Sequence, residues 1–90
     1  MQTTDRATVE GRVLKVLAAR FGEAALALIG DAEFALALPG YDSLAALELV
    51  TAVETEFDIE VDFVADDVRY SFSTLDRVTE YVRDRLEDRG

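Results

Sequence analysis

The chain has 90 residues, half of them hydrophobic, a net charge of −10, and neither cysteine nor histidine. That length suits a single domain, 1–90, with a modest core; the missing residue types exclude disulfides, thiolate metal sites and a histidine general base. The acidity disfavours nucleic acid and anionic membrane surfaces, both of which call for basic residues, and no run is long and apolar enough to span a bilayer.

The first twelve residues, MQTTDRATVEGR, lack a basic start followed by an apolar segment. No signal peptide is expected, and a cytoplasmic monomer is the default. Residues 5 to 20 then carry Val9, Val13, Val16 and Leu17 at helical spacing, with Thr4 or Asp5 to cap the start. This is helix one. Residues 21 to 42 are punctuated by Gly30, Pro39 and Gly40. They read as a long connection whose Leu28, Ile29, Phe34, Leu36 and Leu38 tuck onto the core, because a loop of this length packs or serves a function.

Residues 43 to 57 are the strongest helix, with Asp42 and Ser43 both suited to capping it. Residues 59 to 70 are mixed, and the stretch 62–68 holds room for one short helix. Residues 73 to 87 form the last helix, starting at Ser73 with Asp76 three residues on, and lined by Leu75, Val78, Val82 and Leu86. The fold class is all-α: a small four-helix bundle of three main helices and a short third one, with a long loop after helix one.

The 43–57 helix has two apolar sides. Turned at about 100° per residue from Leu44, Leu49, Val50, Val53 and Phe57 fall together at about 140–240°, with Ala46 among them. Leu44, Leu47 and Thr51 fall opposite, flanked by Glu48 and Glu54. Either the long loop or the short helix covers this second stripe, or a partner does, with apolar contacts for affinity and a charged rim for steering. From Asp42 to Asp67 there are nine acids and no Lys or Arg. That run is either a solvated surface or a docking face for basic partners.

Ser43 stands at the N-terminal tip of the second stripe. A helix N-terminus stabilises an anion by about 0.3–1 kcal/mol, so a phosphate ester there is well placed; the plainer role is a cap. Catalysis by this serine is disfavoured. A nucleophilic serine needs a base, and the one lysine, Lys15, belongs to another helix. A calcium loop is disfavoured too: the alternating acids of DIEVD are followed by Phe63 where an EF-hand needs glycine and by Arg69 where it needs glutamate.

Asp42 to Val61, DSLAALELVTAVETEFDIEV, resembles the signature of the acyl carrier protein family, through Asp-Ser-Leu, then Glu48-Leu49-Val50, then Glu54, Glu56 and Phe57, then Val61. STLDRVTEYV resembles the family's last helix, which starts at a threonine. The resemblance covers about residues 36 to 83. The chain departs from it at Pro39, where a leucine is usual, at Phe34, which lies further upstream than usual, and in about two extra residues near the short helix. The resemblance implies 4'-phosphopantetheine from coenzyme A attached to Ser43 by a phosphopantetheinyl transferase, with an acyl group carried on its thiol. It implies docking of synthase, acyl-loading or modifying enzymes with basic patches at Asp42, Leu44, Leu47, Glu48 and Glu54, and no catalysis by the chain itself. GYDSLA is similar to carriers of bacterial aromatic polyketide synthases. Fatty-acid and polyketide carriers share the acidity; aminoacyl, peptidyl and D-alanyl carriers share the scaffold. An unmodified helical adaptor, with Ser43 only a cap, is the alternative of a different class.

Overall fold

The computed structural model describes residues 5–28, 30–62 and 67–89, and the side chains of 5–28, 30–62 and 67–87. Three long helices dominate them: α1 (Arg6–Phe21), α4 (Ser43–Phe57) and α6 (Leu75–Arg89). Single helical turns form α2 (Glu23–Leu26), α3 (Phe34–Ala37) and α5 (Val68–Ser71). The all-α expectation holds.

Each long helix starts and stops for a local reason. The Asp5 carboxylate accepts the Thr8 N–H at 3.3 Å and caps α1, which buries Val9, Val13, Val16 and Leu17 as one stripe. The helix ends at Gly22, whose φ of 69° favours glycine, and whose N–H bonds the Ala18 carbonyl at 2.9 Å. Helix α4 ends at Asp58, held in the left-handed region at φ 54°, while the Ile59 N–H returns to the Glu54 carbonyl at 3.1 Å. Helix α6 starts two residues later than expected. Its cap is the nearly buried Thr74, whose hydroxyl accepts the Arg77 N–H at 3.1 Å. Ser73 instead donates its hydroxyl proton to the Tyr70 carbonyl at 2.7 Å and accepts from Arg77.

The core is the sum of these stripes: Leu49, Val50, Val53 and Phe57 of α4, and Leu75, Val78, Val82 and Leu86 of α6, meet the α1 stripe. Phe34, Phe57 and Phe72 fill its centre without exposure. Helix α1 is fastened by ion pairs at both partners. Arg6 reaches Asp76 at 2.7 Å and also Glu80 on α6. Arg12 reaches the Glu56 carboxylate at 2.8 Å and its carbonyl at 2.6 Å on α4, with its guanidinium 4.4 Å from the Phe57 ring centre.

The long connection is more ordered than an irregular loop. Its second turn, α3, closes on local bonds, Ala37 N–H to the Glu33 carbonyl and Leu38 N–H to the Phe34 carbonyl, each at 2.9 Å. It is pinned to the start of α6 by Phe34 N–H to the Ser73 carbonyl and Asp76 N–H to the Gly30 carbonyl, also at 2.9 Å. A helical turn aims residues four apart the same way. Phe34 and Leu38 are therefore buried, and Leu36 between them is 84% exposed rather than tucked inward. Ile29, and residues 63–66 of the stretch expected to hold the short helix, lie outside the described residues. The described turn α5 follows them, capped by Asp67, whose carboxylate accepts the Tyr70 N–H at 3.2 Å.

Candidate functional site

The approach to Ser43 is set by a tight turn. Tyr41 N–H bonds the Leu38 carbonyl at 3.2 Å across Pro39 and Gly40. Proline suits the first corner, and the second needs the positive φ, 76°, that Gly40 supplies. Tyr41 then anchors the strand of chain that leads into α4. Its ring packs edge-on against Phe34 at 5.6 Å and tilted against Phe21 at 5.7 Å. Its hydroxyl donates to the Phe72 carbonyl at 3.1 Å. Burial pushes the phenol above its ordinary value near 10.

Asp42 follows in extended conformation and caps α4: its carboxylate accepts the Ala45 N–H at 2.8 Å, and its carbonyl accepts the Ala46 N–H at 2.9 Å. The cap is therefore Asp42 and not Ser43. Ser43 is the first helical residue, exposed, and its hydroxyl takes part in no hydrogen bond among the described residues. No histidine exists in the chain to take its proton, and Lys15 lies on α1.

Two open grooves meet at Ser43. One, about 380 Å³, runs past Tyr41, Asp42, Phe72 and Ser73. The other, about 230 Å³, runs between α4 and α5 past Leu47, Val50 and Val68. Arg69 lines both. An exposed hydroxyl without an internal partner, on a first turn whose N–H groups are only partly capped, fits the ester linkage of a phosphate-bearing arm.

The residues expected at a docking face divide in two. Leu44 is 66% exposed and Leu47 is 50% exposed, so neither the long connection nor α5 covers the second stripe. Glu48 stands beside them, exposed, with Arg20 of α1 at 3.9 Å. Asp42 is exposed, but its carboxylate is occupied by the cap. Glu54 is turned away: its carboxylate accepts the Val61 N–H at 2.9 Å and braces the chain after α4. Two residues of the site were not singled out from sequence, Tyr41 and Arg69. The signal for Arg69 was available, since it is the sole Lys or Arg between Phe21 and Asp76. Among the described residues no cluster of acids has the makings of a metal site, and no helix is long and apolar enough to cross a membrane.

Residues 11–82 match the family model described as the phosphopantetheine attachment site. The chain is also 36% identical over 78 residues to acyl carrier protein 2 of Pseudomonas aeruginosa, a match that covers 87% of this chain and 94% of that protein.

Proposed function

Because the chain belongs to the acyl carrier protein family, whose members bear a covalent 4'-phosphopantetheine arm, we propose that Ser43 is the attachment point and that the whole chain, 1–90, is one discrete carrier domain. The arm supplies a terminal thiol on which an acyl group is held as a thioester. The observation that carries the assignment is the Ser43 hydroxyl itself: exposed, first in α4, and relieved of capping by Asp42.

The chain's own residues divide the work. Asp42 closes the helix start, so the serine needs no internal bond. The Pro39–Gly40 turn and Tyr41 hold that start against Phe34 and Phe72. The Ser43 proton leaves to a base on the transferase, since the chain has no histidine and the adjacent Asp42 carboxylate is engaged in the cap. Leu44, Leu47 and Glu48 form the docking face, apolar at its centre and acidic at its edge, for a phosphopantetheinyl transferase and for synthase, loading or modifying enzymes with basic patches. Glu54 serves this face from behind, by bracing α4.

The pathway we propose is a polyketide, fatty-acid or related secondary-metabolite synthase of dissociated enzymes, in the cytoplasm, with the carrier monomeric and performing no reaction of its own. The relative's name and the acidity of the α4 region support acyl rather than aminoacyl cargo. The test is to incubate the purified chain with coenzyme A and a broad-specificity phosphopantetheinyl transferase, then fragment the product. The added mass should map to the peptide that holds Ser43; a modified peptide elsewhere overturns the assignment.

A further inference from the structure

Eight of the nine basic residues lie on α1 or α6; the ninth is Arg69, on α5. It lines both grooves that meet at Ser43. Among the described residues its side chain makes no ion pair, hydrogen bond or ring contact. The adjacent Tyr70 ring is taken by Arg77, whose guanidinium lies 4.2 Å from its centre. The other ionisable side chains of the larger groove are Glu33, Tyr41 and Asp42, two of them acids.

A phosphodiester on Ser43 adds a negative charge directly to this acidic rim. Its phosphorus is bonded to Oγ, an atom of the residue that both grooves share. Arginine presents two parallel N–H groups in a plane, which match the two free oxygens of a phosphodiester. We propose that Arg69 is a positioning residue for the arm: its guanidinium donates to the free phosphate oxygens and holds the base of the arm beside α5. The inference rests on the attachment reading above. It adds a role for Arg69 that attachment itself does not require.

The experiment compares the unmodified and the arm-bearing full-length protein by NMR, after intact mass has verified loading. In the loaded protein the Arg69 Nε–Hε signal should move and its exchange with water should slow. The ³¹P resonance of loaded Arg69→Gln should differ from that of the loaded wild type. Added salt should move the wild-type resonance toward the variant's, because an exposed ion pair is screened. Arg69→Lys should fall between them, with the charge kept and the fork lost. An Arg69 signal unchanged by loading, together with identical ³¹P resonances in wild type and Arg69→Gln, overturns the proposal. The wild-type comparison needs no variant to fold. Absence of the mass gain overturns the attachment reading itself, and this inference with it.

Discussion

Truncating Phe57 and truncating Leu47 should affect this protein in opposite ways, although both lie on α4. Phe57 is fully buried and carries the Arg12 guanidinium at 4.4 Å. Removing a core phenylalanine costs about 3–5 kcal/mol, and the lost cation–π contact adds about 0.5–1 kcal/mol. At about 0.05–0.15 kcal/mol per residue, a domain of this size holds about 5–14 kcal/mol. With a urea slope of about 1 kcal/mol per molar, the Phe57→Ala midpoint should fall by about 3 M or more. Leu47 is half exposed. Full burial of a leucine is worth about 1.5–3 kcal/mol, and alanine is the better helix former, so Leu47→Ala should cost under about 1 kcal/mol. It should instead slow loading by the transferase or docking of a synthase. Paired urea melts and loading rates measure both quantities. If Leu47→Ala destabilises the fold as much as Phe57→Ala and loads normally, the second stripe is covered and the docking argument fails.

Because the cap is Asp42, Ser43→Ala should stay within about 0.5 kcal/mol of wild type, whereas Asp42→Ala should cost about 0.5–2 kcal/mol in the same melts. Tyr41→Phe removes the bond to the Phe72 carbonyl and should cost about 0.5–1.5 kcal/mol. The folded protein keeps the Tyr41 proton above the pH at which the unfolded chain loses it, so stability should fall as pH rises beyond about 10. That part of the slope should vanish in Tyr41→Phe; an unchanged slope would remove Tyr41 as its source. Association with a basic partner should slow as salt rises and slow further in Glu48→Lys, measured by stopped-flow; salt-independent rates would point to apolar contact alone.

The long helices were legible because their signals are local. The α4 bounds follow from Asp42, the apolar period and Asp58, and its buried and exposed stripes lie where the helical angle puts them. Helix α6 is capped by Thr74 rather than Ser73 because the Ser73 hydroxyl is taken by its near neighbours Tyr70 and Arg77. The turns α2 and α3 have four residues each, too few to show a period. The Glu54 brace spans seven residues to Val61, and Tyr41 reaches 31 residues to Phe72. The first partner lies beyond the helix end at Asp58 and the second in a distant segment, so no helical or strand repeat encodes either contact. The start of α4 at Ser43 was legible for the reverse reason: a helix start and its cap lie within three residues.

Intact mass of the wild-type chain and of Ser43→Ala, each produced with a broad-specificity phosphopantetheinyl transferase and coenzyme A, decides whether Ser43 carries the arm. The wild type should gain the mass of one phosphopantetheine, and the folded variant should gain none. A variant that still takes up the arm, or a folded wild type that never does, would rule out Ser43 as the attachment point.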